Sequence, residues 1–262
     1  MRQMPIKILA DGVVTRSVRD TAAFFREAER VYRPLAMPPI GDLTRPGRKR
    51  LRVAMNTSGL SRGADAEVTQ LTEQTARLLE DLGHTVIEVE APAPATFADD
   101  YLLYWASLAL ALTSGGRRLR GKTWTPGNHD ALTVGLARHA RRNLHRLPGA
   151  TWRLRRSAHD AALFFEKYDV SLTPTLATPT PRIGRLDPTQ DYEIVIDRLK
   201  DWVTFTPLQN VTGTPAVSLP LATTSTGLPQ GMMLGSGFGQ EAVLIELAYE
   251  LEEAVPFARI QG

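Results

Sequence analysis

WVTFTPLQNVTGTPAVSLPLATTSTGLPQGMMLGSGFGQ, residues 202–240, is the stretch from which the architecture can be read. It predicts a helix, a tight turn, a buried strand, a hairpin loop and a second buried strand. Val203, Thr206, Pro207 and Asn210 stand at offsets of three, four and seven, the spacing that gathers side chains on one helical face. Gly213 and Pro215 then punctuate the chain, because neither suits a helix interior. Ala216-Val217-Ser218-Leu219 is short, apolar and β-compatible. Thr223 to Gly227 is a polar turn cluster, and Gly231-Met232-Met233-Leu234-Gly235 returns as the second strand. Two apolar strands joined by a polar loop predict a central hairpin with both faces covered.

Upstream, Leu51 to Met55 is a strand candidate. Asp65 is placed to cap a helix whose apolar stripe is Val68, Leu71, Thr75, Leu78, Leu79 and Leu82, with Glu67 in the first turn and Gly83 at the end. Thr85 to Glu90 alternates like a half-exposed strand. Strand, helix and strand within residues 51–90 form a βαβ unit, which implies parallel pairing. An earlier helix opens at Ser17-Val18-Arg19-Asp20, with Ser17 as N-cap, and is closed off by Pro34. Residues 97–168 read as helices, Asp169 to Leu176 as a further buried strand, and Glu241 to Glu253 as a final helix. The expected class is α/β, a mixed sheet flanked by helices.

The opening stretch also carries a family resemblance. Asn210-Val211-Thr212-Gly213-Thr214-Pro215-Ala216-Val217-Ser218-Leu219-Pro220, followed by Gly227-Leu228-Pro229-Gln230-Gly231-Met232-Met233, resembles the C-terminal signature of the amidase signature family. Those serine hydrolases cleave amides with a Ser–cis-Ser–Lys triad. The likeness extends upstream through Tyr168 to Leu176 and to Thr15-Arg16-Ser17-Val18-Arg19-Asp20-Thr21. Downstream it reaches Leu251-Glu252-Glu253-Ala254 and Pro256-Phe257, and it is loose only between about 95 and 165.

The resemblance implies one partial amidase domain over residues 1–262, the C-terminal part of the amidase signature fold, with a basic helical insertion at about 97–167. It implies neither cofactor nor metal. Thr173, Val203, Thr206, Pro207 and Asn210 would be walls of a substrate pocket; the competing reading of Asn210 is a hydrogen bond to the adjacent turn. The family's lysine and Gly-Gly-Ser-Ser-Gly-Gly-Ser-type segment precede the Thr-Arg-Ser-Val-Arg-Asp helix, so here they would fall before Met1. Neither Gly-Ser-Ser nor Gly-Gly-Ser occurs in the sequence. No residue of this chain is therefore expected to be catalytic. A small-molecule amide is the expected substrate only once the missing part is supplied, and a partner chain or a second copy is an expected companion. The alternative is a catalytically inert split-gene partner or truncated relic.

Composition narrows the other options. The chain has 262 residues, 43% of them hydrophobic and 23% charged, which is ordinary for a globular protein. The absence of cysteine excludes disulfides, thiolate zinc sites and thiol catalysis, and fits a reducing, cytoplasmic setting. The longest apolar run, within Tyr101 to Leu112, is shorter than the ~20 residues a membrane span needs. Ten arginines and Lys122 lie between Arg117 and Arg156 against the single acid Asp130. That run is either a nucleic-acid or anionic-membrane surface or a solvated helical face; Trp124 and Trp152 are too sparse for a base-stacking platform, so no nucleic-acid partner is expected.

Other chemical motifs fail on their spacing. Gly235-Ser236-Gly237-Phe238-Gly239 is not the G-x-G-x-x-G dinucleotide fingerprint and reads as a structural turn. Ser236 is no nucleophile elbow, since Leu234 stands where G-x-S-x-G needs glycine. His84, after Gly83, reads as a turn cap, and no pair of histidines has zinc-ligand spacing. Asp169 is either catalytic or a loop acid that binds backbone amides.

Overall fold

Side chains alternate between the two surfaces of a strand, and in this protein the two surfaces differ in chemistry. The computed structural model describes residues 6, 8–10, 12–35, 37–121, 125 and 127–258, with the side chains of 117–120 excepted. Met1, Lys7, Lys122 and Trp124 lie outside the described residues. The sheet is built from β1 (Arg52–Met55), β2 (Thr85–Glu88), β3 (Val170–Pro174), β4 (Ala216–Thr223) and β5 (Pro229–Ser236), in the order β2-β1-β3-β5-β4. β2, β1 and β3 run parallel, while β5 pairs antiparallel with both β3 and β4. The mixed sheet and the parallel βαβ unit are as the sequence predicts.

Val53, Met55, Val170, Leu172, Leu219, Met232 and Leu234 point to one face and form the main core. That face is covered by α2 (Ala66–Asp81) and α8 (Glu241–Ala254), with α1 (Val18–Val31) packed on α8. Both predicted N-caps are made: Ser17 Oγ accepts from the Asp20 amide, and Asp65 Oδ1 from the Val68 amide. Each satisfies a donor that the first helical turn leaves unpaired. α2 ends on Gly83, whose φ of 88° lets the His84 amide return to the Leu79 carbonyl. The His84 side chain, however, is not a turn cap. It is buried, accepts the Leu51 amide at Nδ1, and meets Glu250 of α8 at Nε2, so it ties the entrance of β1 to the covering helix.

The hairpin departs from expectation. It is not central: β4 is the edge of the sheet, and of its eight residues only Leu219 is buried. Pro220 lacks an amide proton, and the pairing slips between Leu219 and Ala222, two features that belong to edges. The apolar run alone could not distinguish a buried strand from an edge with small residues.

The helices α3 (Phe97–Arg120), α4 (Ala131–Asn143) and α5 (Leu147–Lys167) pack mainly on one another around two smaller apolar clusters. Asp100, only 3% exposed, receives a two-pronged pair from Arg153, at 2.7 and 2.6 Å, which fastens α3 to α5. Two short helices follow β3: α6 (Tyr192–Trp202), capped by Asp191, and α7 (Pro207–Thr212). Among the described residues no helix is long and apolar enough to cross a membrane.

Candidate functional site

The second face of the sheet carries Ala54 and Asn56 from β1 and the residue beyond it, Ser171 and Thr173 from β3, and Met233 and Gly235 from β5. Apart from Met233 these residues are small or polar, and two glycines, Gly231 and Gly235, keep the surface low. A methyl group at Gly235 would lie 2.7 Å from Ser171 Oγ, and one at Gly231 would lie 2.6 Å from Ser218 Oγ. This floor is roofed by Phe164 and Phe165 of α5, near the amino end of β3, and by α7, while the loops after β1 and β2 close it at the carboxyl ends of the parallel strands. Between them is a cavity of about 30 Å³, room for a water molecule or the tip of a ligand. An opening beyond the carboxyl ends of the strands is where open α/β sheets hold their ligands.

The groups around the cavity have been nearly used up. Asn56 donates to Ser58 Oγ and the Val89 carbonyl, both at 2.8 Å, and its Oδ1 accepts the Gly59 amide. Thr212 Oγ1 is engaged with the Leu208 carbonyl and Thr214 Oγ1, and Ser171 Oγ donates to the Gly235 carbonyl. Two buried atoms on the lining have no partner: Thr173 Oγ1 and Gln209 Oε1. A buried polar atom left unpaired costs about 1–3 kcal/mol. A cavity of this size can satisfy such atoms with an ordered water or with the polar end of a ligand. Among the described residues lining it there is neither lysine nor histidine; the charged side chain on the lining is Glu90, which accepts from Ser58 Oγ at 3.3 Å.

The predicted wall residues divide. Thr173 lies on the floor. Val203, Thr206, Pro207 and Asn210 do not share one helical face, because the helix they were assigned to is broken: α6 ends at Trp202 with Val203 as its C-cap, and Pro207 begins α7. Proline cannot accept a place in a helix interior but suits a first turn, which fixes the break. The cavity is instead met by Phe205, Leu208, Gln209 and Thr212. Their spacing is the same but two residues out of phase, a rotation of about 200° at 100° per residue. Asn210 turns toward α3: burial pushes the Tyr101 phenol up, while a hydrogen bond with the Asn210 side chain pulls the other way. Among the described residues it has no hydrogen bond to the adjacent turn. Gly213, at φ 74°, closes α7 by returning its amide to the Gln209 carbonyl at 2.9 Å, which holds Gln209 in place from below.

Other candidates are structural. Asp169 sits at the opposite end of β3, where its Oδ2 accepts the Arg52 amide at 2.8 Å and its Oδ1 pairs with Lys49. Burial works against its charge, but the Arg52 amide and the Lys49 ammonium outweigh burial and hold the carboxyl below its usual range. Ser236 is 1% exposed and donates to the Asp169 carbonyl, so it lies inside the sheet rather than at an elbow.

Comparison with known proteins agrees with this architecture. The family model described as Amidase matches residues 2–245. A Mycobacterium tuberculosis protein, by name amidase AmiC, is 57% identical over all of this chain and 55% of its own length. The 6-aminohexanoate-cyclic-dimer hydrolase of a Pseudomonas species is 28% identical over 94% of this chain and 54% of its own. The solved structure of a 6-aminohexanoate cyclic dimer hydrolase complexed with substrate superposes with a TM-score of 0.74 at 25% identity, covering 93% of this chain and 54% of that one. The chain thus spans about half the length of the curated relatives it matches. With a family match over most of its residues and a close relative over all of them, the chain belongs to the Amidase family.

Proposed function

We propose that this chain forms the substrate-facing wall of a hydrolase of carboxylic amide bonds, with Thr173 and Gln209 reading the amide. The observation that carries the reading is the pair of buried, unpartnered atoms Thr173 Oγ1 and Gln209 Oε1 in an opening whose other polar side chains Asn56, Ser171 and Thr212 are already hydrogen-bonded. An amide N–H supplies the donor that Gln209 Oε1 lacks, and an amide carbonyl accepts from the Thr173 hydroxyl. The aromatic rings of Phe164, Phe165 and Phe205 exclude water from that exchange, which raises the worth of each hydrogen bond. Of the residues read from the sequence as pocket walls, Thr173 has this place; Val203, Thr206, Pro207 and Asn210 are proposed to act by shaping α7 behind it. Residues 97–167 are proposed as an insertion of a single amidase domain, contributing the roof through α5.

The bond-breaking groups, by the family's chemistry a serine nucleophile with a second serine and a lysine to move its proton, are proposed to come from residues outside this chain. A neutral amide needs backbone donors for its oxyanion as well, and these belong with the nucleophile. The setting is proposed to be cytoplasmic. The outer side of α1 and the turn after it bear the exposed side chains of Val31, Tyr32 and Leu35, and Phe238 is 66% exposed at the end of the sheet. Such surfaces suit contact with another segment or chain. The test is to incubate the purified chain with benzamide and with an anilide. The expected result is binding without turnover. Turnover abolished by a single substitution within residues 1–262 would overturn the division of labour.

A further inference from the structure

A second opening lies across the loop after β1 from the cavity just described. Thr204, 1% exposed, clasps that loop by accepting the Leu60 and Ser61 amides at 3.0 and 3.2 Å. On the far side of the clasp is a basin of about 290 Å³ whose charged and aromatic lining is Arg62, Arg185, Arg198, Asp65, Asp201 and Trp202. The basin is large enough for a small molecule, where the first cavity holds little more than a water.

Its acids and bases are unequally committed. Asp201 is taken by Arg62, which also holds Asp197 at 2.7 Å. Asp65 spends an oxygen on the Val68 amide as the cap of α2. The donors are less engaged. Arg198 gives Nη1 to two neutral acceptors, the Arg185 carbonyl at 2.7 Å and Gln190 Oε1 at 2.9 Å, and meets no carboxylate among the described residues. The exposed Arg185 guanidinium has no ion pair among them either. Trp202 adds a buried indole N–H with no partner. Two guanidinium groups without counter-ions and an unspent N–H around one basin call for an acceptor that carries negative charge.

We propose that this basin binds an oxyanion, a carboxylate or a phosphate group, through Arg185 and Arg198 with the Trp202 ring as part of its wall. The site is separate from the Thr173–Gln209 cavity and does not depend on how that cavity is read.

Calorimetric titration of the chain with sodium acetate and with sodium phosphate, each against sodium chloride at equal ionic strength, tests the assignment. Saturable binding of at least one oxyanion beyond chloride is expected. Preference for acetate identifies a carboxylate ligand, and preference for phosphate a phosphorylated one. Arg198→Gln and Arg185→Gln should each weaken binding roughly tenfold or more, the loss expected for a charged hydrogen-bond partner. Arg185 is exposed and its guanidinium makes no ion pair among the described residues, so Arg185→Gln separates loss of the site from loss of fold; benzamide binding at the other cavity should stay unchanged. Absence of saturable binding, or binding that both substitutions leave intact, would overturn the proposal.

Discussion

On one face of the sheet Val53, Val170, Leu172 and Leu234 are sealed from solvent beneath α2 and α8, whereas the same strands offer Ser171, Thr173, Gly231 and Gly235 on the other. The backbone is common to both, and only the alternate side chains differ. The first face gains its stability from burial, at about 25 cal/mol per Å² of apolar surface. The second face gives up that gain at small and polar positions and leaves two hydrogen-bonding atoms unpaired. A fold tolerates such a loss where the surface has another use, and this contrast is what the proposed amide site rests on.

The comparison is broken or sharpened by substituting matched positions. Leu234→Ala should cost about 3–5 kcal/mol in urea unfolding, as for other fully buried leucines. A loss under about 1 kcal/mol would mean that the closed face is not the stabilising one. Next in size is Gly235→Ala, whose methyl group must displace Ser171 Oγ at 2.7 Å and approach Gln209 Nε2 at 3.4 Å. It should cost about 1–3 kcal/mol and also weaken amide binding, since the methyl intrudes on the floor of the cavity. Thr173→Val should change stability by less than about 1 kcal/mol in either direction, because it removes a hydroxyl that already lacks a partner. A stability loss as large as that of Leu234→Ala would show that the second face is ordinary core.

The smallest effect concerns the end of the sheet away from the cavity. Asp169 has its carboxyl pKa lowered in the folded chain, with the Arg52 amide and Lys49 outweighing burial. A depressed folded-state pKa adds stability that is present above the unfolded value, about 3.9 for aspartate, and is lost as pH falls through the folded value. Asp169→Asn should therefore flatten the acid limb of the stability profile below about pH 4 while leaving amide affinity untouched. An unchanged acid limb would show that the Lys49 and Arg52 contacts do not persist in solution.

Much of this was legible because it depends on local rules. Ser17 and Asp65 cap their helices as side-chain acceptors must, and residues 51–90 pair in parallel because a helical crossover permits nothing shorter. The signature at 210–220 and 227–233 marked the hairpin and the family together. What the sequence hid was phase and neighbourhood. Residues 203–210 have a helical period, but Pro207 starts a new helix, so the period runs through a break and gathers residues that do not line the cavity. The signal that would have corrected it is Pro207 itself, read as a first-turn residue. Helix α6 lies outside the stretches with a clear hydrophobic period, and its main local signal is Asp191, the N-cap. His84 reads locally as a turn cap and is not one, since its partners Leu51 and Glu250 are distant in sequence. Gln209 was passed over for the same reason as Asn210 was chosen: neighbouring amides look alike until a cavity distinguishes them.

The central claim is that Thr173 and Gln209 face an amide. It is tested most directly by titrating the chain with benzamide and comparing its affinity with that of Thr173→Val, Gln209→Leu and the double variant, each confirmed as folded. The account predicts saturable binding, a loss of roughly tenfold for each single change, and losses that fail to add in the double variant because both side chains grip one group. Benzamide affinity that is equal in all four proteins would contradict it.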